Sequence, residues 1–444
     1  MVVAVPGAWY NALADLDFEL PPDRPAPRAR PSSRKLNVPL SLVRQESATK
    51  RWIAIPEPVA EAYAQWRPTP LRRARAFERA IGTDSRIYYK YEGANLTGSH
   101  KLNTAVAQAY YYRRAGVERI TVGTGAGQWG TAMAAACSMF GMRCRVFMVR
   151  SSCEAKPYRR TLMELLGAEV VASPSELTVT GRTARQLGDD PGGTLSIALA
   201  EALEDAAVDG SAYSTGSGET YSILHQSVIG LEARQQLESL GEQADVLIGS
   251  LGAGSNLGGL ALPFLEPGVA PGVRVLSVEP AACPKLTRGR YAYDYTDSSQ
   301  QAPLQKMYTL GHTFAPPAMH AAGLRYHGTA KLVSALYDRG RIEAVAYRQR
   351  DVFEAAALFA RTEGVLPAPE SAHAVRGAVA EALAGDRAGV PRTVGLGISG
   401  HGLLDLAAYE AYENGTMVDV DVSDEDIEAA LASLPDVPVG AGSA

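Results

Sequence analysis

Cysteine is scarce in this chain, with four residues among 444. Cys137 and Cys144 fall in and just after one predicted helix, while Cys153 and Cys283 stand apart. This spacing resembles neither a zinc cluster nor a disulfide framework. We therefore expect no metal site and interpret the four residues as reduced thiols of the core.

Long apolar runs and basic clusters are also missing. No segment reaches the uninterrupted apolar length of a membrane helix, and the N-terminus lacks the basic start and apolar run of a signal peptide. The formal net charge is −5, and no long Lys/Arg cluster occurs. These absences predict a cytoplasmic protein whose main partner is a small molecule, with no nucleic acid and no membrane as partner.

The chain is rich instead in alternating helical and β-type segments. Helices are predicted near 104–115, 128–140, 156–166 and 223–240, and strands at 119–122, 143–149, 169–172, 245–250, 273–279, 343–347 and 393–398. Short β-rich runs separated by helices of this length indicate parallel βαβ units. The length and the 46% hydrophobic content fit a globular chain of two or more lobes.

One lysine stands in an unusual setting. Lys101 follows a Gly-Ser turn and His100, and it opens an apolar helical run at 102–112. A helix N-terminus disfavours a cation and favours anions. Lys101 therefore suits a bound anion or a Schiff base better than a stable ion pair, although most lysines are simply solvated.

Two glycine-rich turns follow predicted strands and open helices, at 124–130 and 250–259. Backbone N–H groups of the first turn could face a carboxylate or phosphate, although such turns are often only structural. The second turn adds serine and asparagine donors, and it lacks the G-x-G-x-x-G spacing of a dinucleotide site. A phosphomonoester fits the second turn best. With Lys101, the two turns suit pyridoxal phosphate acting on an amino acid.

Longer motifs carry a more specific resemblance. The runs Thr97 to Thr104, Thr124 to Gly130, Lys156 to Arg160, Leu324 to Gly328 and Pro369 to Ala374 together resemble a tryptophan synthase β chain. Trp129 and the run Ser399 to Gly402 resemble the second, diverged class of these chains. The resemblance covers nearly the whole chain. It implies an α/β fold of two three-layer lobes with mostly parallel sheets (pyridoxal-phosphate fold type II), and a homodimer that could bind an α-type subunit.

The resemblance also implies limits for the lobes. The N-terminal lobe would hold residues 1–66 and 100–218, of which about 116–204 would move to close over the substrate. The C-terminal lobe would hold residues 67–99 and 219–444 with the phosphate loop. A Pro/Arg-rich arm at 21–34 would lie extended on the surface, and a polar loop is expected at 188–193.

Site residues follow from the same resemblance. Lys101 would hold the cofactor covalently and move the Cα proton. The other cofactor contacts would be His100, Asn103, Gly252, Ala253, Gly254, Ser255, Asn256, Glu363 and Ser399, with Ala253 standing where the family usually has a third glycine. The amino-acid substrate would contact Thr124, Gly125, Ala126, Gly127, Gln128 and Trp129. Ser399 would face the pyridine nitrogen, unless it is only a helix N-cap.

Gly123 departs from the family, which carries a glutamate at this position. That carboxylate helps the β-hydroxyl to leave and attracts the indole N–H. Losing a general acid/base typically costs on the order of 10²–10⁴-fold in rate. Either Gly123 merely loosens a loop, or the freed space admits a β-branched or bulkier amino acid, or a nucleophile other than indole.

Three functions therefore stay open. The first is pyridoxal-phosphate-dependent β-replacement on serine or a related β-hydroxy amino acid, in which an aminoacrylate condenses with indole or an indole-like nucleophile. The second uses another nucleophile, or water as a serine/threonine dehydratase does. The third is a non-catalytic partner subunit, which the presence of Lys101, Ser399 and both turns argues against.

Overall fold

The computed structural model describes residues 4–25, 38–187, 192–207, 210–214, 216, 218–296, 300 and 303–437. Its strands are β1 (Ala8–Tyr10), β2 (Trp52–Ala54), β3 (Leu71–Arg73), β4 (Arg86–Tyr91), β5 (Arg119–Thr124), β6 (Arg143–Val149), β7 (Ala168–Ser173), β8 (Ser211–Tyr213), β9 (Val246–Ser250), β10 (Arg274–Pro280), β11 (Arg290–Tyr295), β12 (Leu304–Thr309), β13 (Glu343–Tyr347) and β14 (Thr393–Ile398). Its α-helices are α1 (Leu40–Glu46), α2 (Glu57–Tyr63), α3 (Arg75–Ile81), α4 (Lys101–Arg114), α5 (Gln128–Met139), α6 (Arg150–Ala155), α7 (Pro157–Leu165), α8 (Val179–Leu187), α9 (Leu195–Asp205), α10 (Thr220–Gln226), α11 (Val228–Ser239), α12 (Ser255–Ala261), α13 (Lys331–Asp338), α14 (Gln349–Glu363), α15 (Pro369–Arg387), α16 (Leu406–Glu413) and α17 (Asp424–Leu431).

Two sheets organise these elements. The larger has the order β13-β10-β9-β14-β4-β3, in which β3 pairs antiparallel to β4 and the other pairs are parallel. The smaller has the order β7-β6-β5-β8 and is parallel throughout. Central strands β9 and β14 are buried along their whole length, as strands covered by helices on both faces require. The predicted α/β fold with mostly parallel sheets is confirmed.

The sheets also bear on the predicted lobes. Strands β3 and β4 lie in the larger sheet, although they precede the smaller sheet in the chain. This arrangement is the one expected if a segment is exchanged between the two lobes. The residue limits of the lobes stay a prediction. Residues 26–34 of the predicted arm and 188–191 of the predicted loop lie outside the described residues. Within the described ranges, every helix is too short or too polar to cross a bilayer.

Several elements differ from the sequence-based expectation. The helix predicted at 223–240 is two helices, α10 and α11, which meet at Ser227, whose hydroxyl accepts a hydrogen bond from the Tyr10 backbone (2.9 Å). After Cys283 the chain forms the hairpin β11–β12. Near the C-terminus, the acidic helix α17 buries Ile427 and Leu431 in a small core. Helix α9 and strand β8 were not predicted at all.

A buried ion network connects the larger sheet with α4 and α11. The Arg67 guanidinium donates to Glu232 Oε1 (2.8 Å) and to Glu92 Oε2 (2.9 Å), and Lys90 Nζ donates to Glu232 Oε2 (2.7 Å). All four side chains are at most 1% exposed. Asn103 Oδ1 accepts a further bond from Arg67 (2.9 Å). Removing one member would leave a charge buried without its partner.

We predict that Arg67→Met lowers the free energy of unfolding by about 3–5 kcal/mol, because Glu92 and Glu232 would then lose their shared cation inside the protein. Chemical denaturation measures this loss. Arg341→Met is the matched control, since Arg341 pairs with Asp17 (2.8 Å) where both side chains are more than half exposed. Equal destabilisation by the two variants would contradict a structural role for the network.

Candidate active site

A cavity of about 530 Å³ collects residues from distant parts of the chain. Its wall includes Lys101 at the start of α4, the turn that follows β5, and the turn that follows β9. Both turns leave the carboxyl ends of parallel strands, where α/β proteins commonly bind ligands. The cavity therefore brings together the lysine and both glycine-rich turns that the sequence singled out.

Lys101 is the first residue of α4, and its Nζ lies 3.4 Å from Gln128 Oε1. Burial lowers the pKa of the Lys101 ammonium, and the nearby positive charge of Arg159 lowers it further. The negative charge of Glu370 raises the pKa but does not cancel the effect of burial. A lowered pKa increases the fraction of neutral amine. The neutral amine is the form that attacks an aldehyde carbon to form a covalent imine.

His100 connects Lys101 to two other parts of the wall. Its Nδ1 lies 3.3 Å from the Ser399 carbonyl oxygen, and its Nε2 lies 3.4 Å from Ser255 Oγ. Burial and the neighbouring Lys101 charge lower the pKa of His100 to about 3. The imidazole is therefore neutral at physiological pH and adds a polar contact without adding a charge.

The turn after β9 has the shape and chemistry of a phosphate cradle. Gly254 has a φ of +124°, and a Cβ there would lie 2.9 Å from Val333. A Cβ at Gly252 would lie 2.7 Å from the Gly323 carbonyl oxygen, so neither glycine tolerates a side chain. Ser255 and Asn256 add a hydroxyl and an amide to the cavity wall. These uncharged donors fit the phosphate of pyridoxal phosphate.

Ala253 is compatible with this turn. Its side chain lines the cavity, and its carbonyl oxygen accepts a hydrogen bond from Ala330 N (2.7 Å). The missing third glycine therefore leaves the main chain of the turn anchored to the segment before α13.

The turn after β5 forms the second cradle. Gly127 has a φ of +89° as the N-cap of α5, and its N–H donates to Thr124 Oγ1 (3.2 Å). Gln128 Nε2 donates to Glu370 Oε2 (2.9 Å), which fixes the amide beside Lys101. The residues of this segment that line the cavity are Thr124, Gly125, Ala126, Gln128 and Trp129, whereas Gly127 shapes the turn from behind.

The sequence did not identify Glu370 as a site residue. Glu370 Oε1 accepts a hydrogen bond from Gly323 N (2.8 Å), while Oε2 accepts one from Gln128. The side chain thus holds two walls of the cavity together from the first turn of α15. A glutamate after a proline at a helix start is usual, so only the three-dimensional contacts reveal its position.

Two predicted cofactor contacts, Asn103 and Glu363, bond to other parts of the protein, and their contact with the cofactor stays a prediction. Asn103 is fully buried in the ion network, where its Nδ2 donates to Glu92 Oε2 (3.1 Å) and to Gln226 Oε1 (2.9 Å). Glu363 is the last residue of α14, and its Oε1 accepts from the Phe77 backbone N–H (2.8 Å). Neither residue is part of the cavity wall among the described residues.

Ser399 lies directly behind the wall. Its Oγ is 2.8 Å from Ser371 Oγ, and its carbonyl oxygen accepts from His100 N (2.8 Å). The helix that follows begins at Leu406 with Asp405 as its N-cap. The alternative interpretation of Ser399 as a helix N-cap is therefore wrong.

Gly123 lines the cavity, but the expected free space at this position is absent. A Cβ added to Gly123 would lie 2.7 Å from Ala198 O and 2.7 Å from the Leu199 backbone. Helix α9 thus fills the volume that a side chain would take. Its Leu195, together with Leu199, gives the cavity an apolar wall. The hypothesis that a missing side chain enlarges the pocket is wrong.

Comparison with known proteins agrees with this geometry. A sequence profile of the family described as pyridoxal-phosphate dependent enzymes matches residues 63–400. The tryptophan synthase β chain 2 of Thermotoga maritima is 51% identical over 410 residues, which cover 91% of this chain and 97% of that protein. Its counterpart from Methanosarcina acetivorans is 48% identical over 420 residues, which cover 93% of this chain and 95% of that protein. This chain belongs to the tryptophan synthase β chain family.

Solved structures show the same fold at low sequence identity. An L-serine ammonia-lyase from Rhizomucor miehei superposes with a TM-score of 0.58 at 15% identity, covering 79% of this chain and 98% of that chain. The threonine deaminase from T.th. gives a TM-score of 0.52 at 21% identity, covering 78% of this chain and 97% of that chain. Membership of the tryptophan synthase β chain family confirms the predicted cofactor, pyridoxal phosphate, which the cradle residues described above fit.

We predict that Gly123→Ala destabilises the protein, because even a methyl group would press on the α9 backbone. Overpacking of this kind typically costs about 1–3 kcal/mol, measurable as a lower midpoint of thermal or chemical unfolding. Gly7→Ala is the control, since no atom lies within 4 Å of the Cβ it would add. If the two variants unfold at the same midpoint, α9 does not pack on Gly123 in solution.

Proposed function

We propose that this protein catalyses pyridoxal-phosphate-dependent β-replacement on serine or a related β-hydroxy amino acid, with indole or an indole-like nucleophile. The observation that carries the proposal is the meeting of Lys101 with both cradles in one cavity. About half of the residues are also shared, over more than nine-tenths of the chain, with tryptophan synthase β chains.

The cofactor, when bound, supplies an electron sink that acidifies the Cα–H bond of the amino acid and activates the β-substituent. Lys101 would hold it covalently, and its amine would then take the Cα proton. The turn at 252–256 and His100 would bind the phosphate, and the turn at 124–128 would bind the substrate carboxylate. Gln128, held by Glu370, would orient that carboxylate beside Lys101.

Ser399 would act at the pyridine nitrogen. It lies beside a second hydroxyl, Ser371, and no carboxylate bonds to either hydroxyl among the described residues. Unlike a carboxylate, a hydroxyl does not hold the ring nitrogen protonated. A less electron-demanding ring favours elimination and replacement at Cβ over transamination.

The second substrate would bind against the apolar part of the wall. Trp129 is 7% exposed and, with Leu195 and Leu199, lines the cavity. Flat apolar surfaces of this kind suit an aromatic nucleophile and exclude water from the reacting carbon. Exclusion of water matters because water would convert the same amino acid to a 2-oxo acid and ammonia.

The segment at 116–204 would close over the substrate, and contacts across the site support such a movement. Lys156 Nζ lies 2.5 Å from Asp405 Oδ1, and Arg159 Nη2 lies 2.8 Å from Asp405 Oδ2. These pairs join the start of α7 to the segment after β14 and would hold the closed form. We further propose a homodimer, with an α-type subunit as a possible partner.

Gly123 favours a second candidate, in which a nucleophile other than indole, or water, completes the reaction of the amino acid. The position lacks the carboxyl group that would help the β-hydroxyl to leave. Both candidates bind the cofactor and the amino acid in the same way. They differ in the molecule that reacts with the amino acid afterwards.

Absorbance spectroscopy of the purified protein separates these candidates. We expect a visible band of lysine-bound cofactor that changes when L-serine is added and changes again with indole, together with a product of the mass of tryptophan. Lys101→Met should abolish the band and the product, because the cofactor loses its covalent attachment. Lys50→Met, at an exposed position, should keep both.

Two outcomes would redirect the proposal. Release of a 2-oxo acid and ammonia from serine or threonine, unchanged by indole, would establish the second candidate. A protein without any visible cofactor band after incubation with pyridoxal phosphate would refute enzyme function at this cavity.

A further inference from the structure

Glu219 lines the same cavity as Lys101 and Gly123. It occupies the N-cap position of α10, yet its side chain does not cap the helix. Glu46 does so instead, because its carboxylate accepts from Thr220 N (3.2 Å) and Tyr221 N (3.1 Å). Because Glu46 satisfies the helix donors, the Glu219 carboxyl group is not needed at the start of α10 and is part of the cavity wall.

The topology places Glu219 and Gly123 in the same cavity wall, beside neighbouring strands. Strand β8 pairs in parallel with β5, so Thr121 lies opposite Tyr213. Gly123, near the end of β5, and Ser214, which follows β8, therefore lie at the same edge of the sheet, and Glu219 comes five residues after Ser214. The preceding residue, Gly218, lies so close to the phosphate cradle that a Cβ there would be 3.3 Å from Ala253 Cβ.

The other acidic residues of the cavity wall are engaged. Glu370 accepts from Gln128 and from Gly323, as described above. Asp23 and Glu46 both pair with Lys331, at 3.2 and 3.4 Å. Within the described ranges, Glu219 takes part in no ion pair of this kind. Its side-chain hydrogen bond is with the uncharged amide of Gln305.

Burial and the charge of Glu46 raise the pKa of Glu219 to about 8. Asp23 raises it too, whereas Lys331 and a hydrogen bond with Gln305 oppose the shift. The groups that face it are Asp23, Glu46, Tyr112, Gln305 and Lys331. Glu219 is therefore mostly protonated at neutral pH, and it can both give up a proton and take one back near that pH.

We propose that Glu219 is the acid and base at Cβ of the substrate, in place of the carboxylate absent from position 123. This inference rests on the function proposed above. Glu219 lies outside the sequence motif that contains Gly123, on another part of the cavity wall.

In the proposed reaction, Lys101 and Glu219 exchange protons with the substrate at Cα and at the β-oxygen. Lys101 takes the Cα proton, the electrons of that bond form the Cα–Cβ double bond, and the Cβ–O bond breaks with its electron pair on oxygen. Glu219 gives its proton to that oxygen, which leaves as water. When the nucleophile forms its bond to Cβ, the resulting Glu219 carboxylate takes the proton that the nucleophile loses, and Lys101 returns its proton to Cα.

Kinetics of Glu219→Gln test this role. We expect serine consumption and product formation to fall on the order of 10²–10⁴-fold in kcat, because glutamine keeps the shape but cannot transfer the proton. The cofactor band should be unchanged. Glu219→Asp should recover part of the rate, and Glu238→Gln, an exposed change on α11, should behave as the wild type. Unchanged kcat in Glu219→Gln would overturn the inference.

The pH profile gives a second readout that a structural role would not move. Because Glu219 must start protonated, kcat/KM of the wild type should fall as the pH rises through about 8. Glu46→Gln removes a negative charge that raises this pKa, so the alkaline limb should move to lower pH. A limb that Glu219→Gln leaves in place would contradict the assignment.

A measurement without turnover separates this inference from the proposed function. Infrared titration of the cofactor-bound protein should show protonated carboxyl absorbance that decreases as the pH rises through about 8, and Glu219→Gln should lack this decrease. An equal decrease in the variant overturns the inference alone. A wild type that shows the decrease but turns over neither serine nor threonine overturns the proposed function, and the catalytic role of Glu219 with it.

Discussion

The ion network around Arg67 determines where the reactive lysine lies. Its guanidinium binds Glu92 after β4, Glu232 on α11 and Asn103 on α4. Asn103 lies two residues after Lys101, so the network fixes the start of α4 against the larger sheet. Charges in such a dry environment are tolerated only when each is paired, which leaves the elements that carry them little freedom to shift.

The same network links the geometry of the site to pH. Burial alone would raise the pKa of Glu92, but the charges of Arg67 and Lys90 hold it at about 2. A carboxyl whose pKa is depressed in the folded state stabilises the protein above its ordinary value near 4.5. That stabilisation is lost as the pH falls towards 2. The position of Lys101 is therefore secure across the range in which the cavity titrates.

Local sequence patterns were sufficient for most strands of the two sheets and for both cradles, but not for β8 or the hairpin β11–β12. The limits of β6 and β14 agree with the sequence to the residue, since short runs rich in β-branched and apolar residues between predicted helices favour strands. The hydrogen bonds of Asn103 and Glu363 could not be predicted, because their partners, Arg67 and Phe77, are distant in sequence. Glu370 was missed for the same reason: no local pattern states which cavity a buried carboxylate faces.

Gly123 shows why a motif alone gives an incomplete account of such a site. The sequence alone suggests that glycine in place of glutamate removes a catalytic carboxylate and enlarges the pocket. In the structure the space is taken by the backbone of α9, which turns this part of the wall apolar. On another part of the wall, burial and the charge of Glu46 raise the pKa of Glu219 to about 8, so its carboxyl group holds its proton at neutral pH. In the proposed mechanism, the acid and base at Cβ is therefore the carboxyl group of Glu219, which lines the same cavity as Gly123, and position 123 itself contributes no chemical group.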